Sequence, residues 1–175
     1  MSEYTTEFGS LDNVRAGGVT IINDDPRNYV FSNLFEVARD SAPYERVAVG
    51  KNFEYVIESA RAEGESPWFI ARHDEFALCM DGRVEVNLVK PEDADAMTPS
   101  ADGAHILDSV PAGRKMGRIQ ISRGHMALLP AGAAYRFRAE AVSVLAFQTI
   151  QGPATVEKWA EICQTGPDPI DSGSA

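Results

Sequence analysis

Among the 175 residues only three are histidines, and two of them stand where a carboxylate could join them in chemistry. His73 and Glu75 are two apart in a strand-forming stretch, so both side chains leave the same face of a strand. His125 could add a third donor, giving the two-histidine, one-carboxylate set that holds non-haem iron. Against that set, His125 directly follows the turn glycine Gly124, and His73 sits at a hairpin edge. Glu75 and Tyr135 form a second constellation. A phenol and a carboxylate can act as general acid and base where both face an open cleft; otherwise the Tyr135 ring fills core and its hydroxyl bonds Glu75 or backbone. Trp68 is either core or an aromatic wall at a pocket mouth or interface. Arg118, Arg123, Arg136 and Arg138 could receive an acidic ligand, although exposed strand faces carry arginine routinely and no phosphate-binding loop accompanies them. His105 lies in an acidic stretch and is expected in solvent. Cys79 and Cys163 make no metal or redox spacing, which predicts free thiols.

The elements that must position these groups are short strands. The chain has 14 glycines and 10 prolines, and they punctuate brief apolar runs, a pattern of β structure rather than helix. Strands are expected at 53–59, 68–72, 75–80, 83–90, 116–122, 126–129, 135–138 and 142–150. Val84, Val86 and Leu88 alternate with Glu85 and Asn87, the mark of a half-buried antiparallel strand. Asp81-Gly82 supplies a tight turn before it. Residues 91–113 are acidic and without period, and are expected to form a long loop. Residues 1–45 read as an arm whose apolar groups (Val19, Ile21, Ile22, Tyr29, Val30, Phe31, Leu34, Phe35) argue against a disordered tail. The spacing of Val156, Trp159, Ala160 and Cys163 predicts a helix over 153–164, with fraying beyond Gly166.

Composition excludes several partners. A net charge of -10 and a pI near 4.7 oppose nucleic acid and anionic membranes. No apolar run approaches the roughly 20 residues of a membrane span, and no signal-peptide pattern opens the chain; a cytoplasmic protein is expected.

The run from Gly124 to Tyr135 has the spacing Gly-x5-Pro-x-Gly-x2, through Gly124, Pro130 and Gly132. It resembles the second cupin signature at each fixed position except the last, where tyrosine replaces histidine. The first signature, His-x-His-x(3,4)-Glu-x6-Gly, falls on 68–82, with Glu75 seven residues before Gly82. Its two histidine positions then fall on Trp68 and Ile70 or on Phe69 and Ala71, according to register. Neither register supplies an imidazole. The resemblance implies an all-β fold, a single jelly-roll-like cupin barrel over 46–152 with the 1–45 arm before it and a C-terminal helix and tail over 153–175. It also implies that of four metal-ligand positions only Glu75 is kept, so that this chain holds no cofactor of its own. In cupin assemblies such arms often cross a neighbour, which favours the second of two placements, over the barrel or against another subunit.

The whole form, acidic and with one degenerate barrel, is similar to the small subunit of two-subunit hydroquinone 1,2-dioxygenases. That resemblance implies a larger cupin partner carrying Fe(II), a heterotetramer, an aromatic diol bound near the interface, and a role in aromatic catabolism. Trp68, Glu75, Tyr135 and His73 are the pocket-lining candidates, with no catalytic residue firmly assigned and Trp68 foremost as an aromatic wall. Two readings of other classes stay open: a stand-alone metal-free cupin that binds a small molecule or serves a regulatory or storage role, and a cupin isomerase using Glu75 and Tyr135.

Overall fold

The computed structural model describes residues 9–14 and 32–162. Helix α1 (Leu34–Asp40) precedes ten strands: β1 (Arg46–Asn52), β2 (Tyr55–Glu65), β3 (Trp68–Ala71), β4 (Glu75–Asp81), β5 (Arg83–Pro91), β6 (Ala104–Leu107), β7 (Gly113–Ser122), β8 (Met126–Leu129), β9 (Ala134–Ile150) and β10 (Thr155–Val156). Two one-turn helices, α2 (Ala94–Met97) and α3 (Trp159–Ile162), complete the set.

One strand organises the barrel. The 17-residue β9 pairs through its first half with β3 and β5, where Tyr135 lies opposite both Phe69 and Leu88. Through its second half it pairs with β2 and β4, where Phe147 lies opposite both Glu58 and Ala77. Each wall of the jelly roll is therefore joined to the other by continuous backbone. Two separate strands were expected here, at 135–138 and 142–150. The chain instead runs through 139–141 unbroken, because β2 shifts register between Ala62 and Gly64 and follows it.

Alternation fixes what points inward. Val84, Val86 and Leu88 are buried with Ile121, Leu129, Phe137, Leu145 and Phe147 in one core, while Glu85 and Asn87 face out, as their spacing predicts. Four aromatic rings, Phe69, Tyr135, Phe137 and Phe147, run through that core in successive contacts of 5.7, 5.6 and 5.4 Å between centroids. Gly82 makes the turn before β5 at φ +77, and a Cβ there would sit 2.2 Å from Ser143 Oγ. Only glycine fits on both counts.

Both described parts of the arm rest on this chain's own barrel. Asn33 caps α1 by accepting from the Phe35 and Glu36 amides, and Ser59 Oγ donates to the Leu34 carbonyl at 2.8 Å. Further upstream the Leu11 amide donates to the Asp81 carboxylate. The apolar groups expected to anchor the arm at Val19, Ile21, Ile22, Tyr29, Val30 and Phe31, together with Cys163 and the tail, lie outside the described residues.

Three expectations need correction. Residues 91–113 are not a plain loop: α2 lies within them, and β6 pairs with β3 from Trp68↔Leu107 to Ala71↔Ala104. His105 is accordingly buried on β6, its Nε2 bonded to the Ala101 carbonyl at 3.0 Å, instead of in solvent. The C-terminal helix begins only at Trp159, because Thr155 and Val156 first pair in parallel with Arg46 and Val47. No helix among the described residues is long and apolar enough to cross a membrane.

Candidate functional site

Glu75 opens β4, and the alternation of that strand sends Glu75, Ala77 and Cys79 into the barrel. Tyr135 enters from β9 and Phe69 from β3, their rings stacked at 20°. The inward pair of β3 is therefore Phe69 and Ala71, one of the two registers the first signature permits. Trp68 and Ile70 take the opposite face.

What holds the centre is Arg46, the first residue of β1. Its side chain is 1% exposed, and those of Glu58 and Glu75 are 1% and 0%. Arg46 Nε donates to Glu58 Oε2 at 2.5 Å, Nη2 to Glu75 Oε1 at 2.7 Å, and Nη1 to the Tyr135 hydroxyl at 2.9 Å. The guanidinium also lies over the Phe147 ring at 4.3 Å and over Phe69 at 5.6 Å, both within cation–π range. One cation between two carboxylates leaves an excess of negative charge. Hydroxyl donors answer it: Tyr135 Oη and Thr149 Oγ1 donate to Glu75, and Thr155 Oγ1 donates to Glu58 Oε1 at 2.6 Å.

The electrostatics follow from burial and pairing. Burial alone would raise the Glu75 carboxyl, but the Arg46 charge and the hydrogen bonds from Tyr135, Thr149 and Arg46 hold it below its usual value. Burial works against the charged Arg46 too, and the charges of Glu58 and Glu75 keep it firmly protonated. Burial first, then the Glu75 charge, pushes the Tyr135 phenol well above its ordinary range. A neutral phenol bonded to an ionised carboxylate inside a closed barrel faces no cleft. The acid–base pairing of Glu75 and Tyr135 that an isomerase needs is therefore not presented to a substrate.

The other candidates separate. His73 is half-buried at the edge of the centre, its Nε2 2.8 Å from Thr149 Oγ1 and accepting from the Ile150 amide at 3.2 Å. His125 is exposed in the β7–β8 turn, where its Nδ1 accepts from the Ser122 amide. Glu75 lies opposite Leu129 at the far end of the β4–β8 pair, so His73, Glu75 and His125 do not converge. Among the described residues no group of three or more His, Cys, Asp or Glu is placed to hold a metal. Arg118, Arg123 and Arg136 pair with Glu85, Asp81 and Glu65. Arg138 lines a charged cleft of about 250 Å³ with Arg83, Glu85, Gln120 and Glu140 on the outer wall. Cys79 is a free, buried thiol raised to about 11 by burial and then by the Asp81 charge.

Trp68 packs on the outer side of β3 against Val89, Ala134 and Leu107. The Arg136 guanidinium covers its ring at 4.9 Å. Its indole Nε1 is buried without a hydrogen-bond partner, and so is Arg136 Nε.

Sequence reasoning missed Arg46 and Glu58. A signal was present for Glu58, which falls on the buried phase of β2 with Val56, Ala60 and Ala62; a carboxylate on that phase requires a buried cation.

No family model and no curated protein matches the chain. Among solved structures, it is 63% identical to a hydroquinone 1,2-dioxygenase chain from Sphingomonas sp. TTNP3, solved with 4-hydroxybenzoate bound, over 94% of this chain and 100% of that one, with a TM-score of 0.88. The chain belongs to the hydroquinone 1,2-dioxygenase family. A second family structure, PnpCD in complex with Cd2+ and 4-hydroxybenzonitrile, matches at 53% identity over 92% of this chain and 97% of that one, with a TM-score of 0.84. A much longer chain from the Sphingomonas dioxygenase, solved with 4-nitrophenol, shares the fold at 12% identity and a TM-score of 0.58. This chain covers only 38% of it. The same barrel fold thus occurs in two kinds of chain from solved hydroquinone 1,2-dioxygenases.

A family member solved with Fe3+ raises the question of iron here. The residues present do not fit it. Of the four ligand positions, Phe69, Ala71 and Tyr135 offer no imidazole, and the fourth, Glu75, is already bound to a guanidinium that would repel a dication.

Proposed function

We propose that this chain is the small, metal-free cupin subunit of an Fe(II)-dependent, ring-cleaving hydroquinone 1,2-dioxygenase, and that it supports a larger cupin subunit that holds the iron. The observation that carries this reading is the end-to-end match to a dioxygenase chain combined with a barrel centre filled by Arg46. The longer family chain of the same fold is the natural bearer of the iron. A hetero-oligomer of the two, a heterotetramer, would work in the cytoplasm on an aromatic diol during aromatic catabolism.

Within that assembly Trp68 is the residue of this chain proposed to meet the substrate pocket. Its ring packs on the outer side of β3 under the Arg136 guanidinium, and its N–H is buried without an acceptor; a partner subunit or a phenolic ligand would reach it once the Arg136 side chain moves aside. An aromatic wall orients a flat ring by stacking and excludes water beside it. His73, Glu75 and Tyr135 act one layer away, by fixing the sheet that carries Trp68. The stand-alone reading has no observation of its own in its favour.

Reconstitution tests the proposal. Hydroquinone ring cleavage with O2 is expected when this chain and a longer family chain are co-expressed and co-purify, and is expected from neither chain alone. A monodisperse homo-oligomer that ignores the longer chain would end this reading.

A further inference from the structure

We propose that Arg46 is a cation built into the chain in place of a metal, and that cutting its side chain back leaves a site selective for a guanidinium ion. The geometry carries the argument. Its guanidinium donates to Glu75 and Tyr135, two of the four positions at which the cupin signatures place metal ligands, and covers Phe69 at a third. The barrel thus keeps a positive charge at its centre and changes the source of that charge.

Shape makes the site specific. Three edges of one planar group reach three different acceptors, Glu58, Glu75 and Tyr135, while the Phe147 ring lies against its face. A lysine ammonium is a point charge on a flexible stem and cannot span these directions. The charged groups around the centre are Arg46, Glu58 and Glu75, and the remaining donors are the hydroxyls of Tyr135, Thr149 and Thr155. Without Arg46, two buried carboxylates would share one interior with no cation, a state that either takes up protons or unfolds. The inference concerns this chain alone and stands or falls independently of the proposed partner.

Thermal melts of the purified chain test it. Arg46→Ala is expected to lower the Tm by about 10 °C, from the cost of breaking a buried ion pair in a domain of this size. Guanidinium chloride at about 10 mM is expected to return about 3–6 °C to that variant if it binds with about millimolar affinity, whereas sodium chloride at equal ionic strength and guanidinium added to the parent return nothing. Arg46→Lys is expected to stay well below the parent. If Arg46→Ala does not fold, Arg46→Met combined with Glu58→Gln and Glu75→Gln is expected to melt higher than Arg46→Met, because the uncompensated charges are gone. The parent's melt is expected to be unmoved by EDTA. A lowered parent Tm in EDTA would overturn the proposal, as would an Arg46→Ala variant that melts like the parent. So would rescue by sodium chloride equal to rescue by guanidinium.

Discussion

The two faces of β3 differ in what they leave undone. Inside, Phe69 stacks on Tyr135 beside Arg46, and the polar groups of Arg46, Glu58 and Glu75 meet partners from β1, β2, β4 and β9. Outside, one residue away, Trp68 and Arg136 lie in contact with each other, and each holds a buried N–H that bonds nothing. An unpaired buried donor costs about 1–3 kcal/mol. The interior is satisfied within the chain, and the outer patch is not. On the proposed function, that second face is where a partner and a substrate belong, and the first is the frame that keeps it in place.

Breaking the inner face gives the largest expected effect. Arg46→Met should destabilise the chain by about 3–5 kcal/mol, since it leaves two carboxylates buried without their cation; chemical denaturation measures it. Tyr135→Phe keeps the stack on Phe69 and removes one donor from Glu75, so the expected loss is about 1–3 kcal/mol. Tyr135→His should cost a similar amount and still recruit no iron by elemental analysis, because Phe69 and Ala71 supply no imidazole.

Proton linkage sharpens the same contrast. The folded Glu75 carboxyl is depressed, so its stabilisation is fully present above the ordinary carboxyl range and is lost as the pH falls through the folded value. At the alkaline end the sign reverses. Burial, above all, raises the Tyr44 phenol to about 12, so its contribution is complete below the ordinary tyrosine value and disappears as the pH climbs toward 12. Denaturant midpoints should therefore show a plateau with falling limbs at both ends. In Glu75→Gln the gap to the parent should narrow as the acid limb is descended, and a constant gap would show that Glu75 is not ionised in the folded chain.

Disturbing the outer face removes a buried ring and so costs stability as well, but its distinguishing effect should be felt in catalysis. With a buried aromatic contact worth about 0.5–1.5 kcal/mol beyond its area, Trp68→Ala should lower kcat/KM of the assembled dioxygenase several-fold while assembly and iron content hold. A variant that assembles and turns over like the parent removes Trp68 from the pocket; one that fails to assemble makes it interface packing.

Much of the frame was legible because strand alternation and glycine–proline spacing are local signals. The β4, β5 and β8 strands lie where the sequence puts them, and Gly82 turns the chain as its position implies. Glu75 and Tyr135 could be placed together because a family signature spans each. Arg46 could not, since its partners are 12, 29 and 89 residues away and no periodicity links them. The short β6 and β10 strands were hidden for a related reason. Each is held by pairing to a distant strand, β3 or β1, and has too few residues for a period of its own.

The most direct test of the account is the location of iron. The complex with the longer chain would be purified after iron supplementation, the two chains separated under non-denaturing conditions, and each analysed for metal. Iron that stays with the longer chain, with none on this one, is the predicted result; iron retained by this chain after separation would contradict a barrel whose central cation is Arg46.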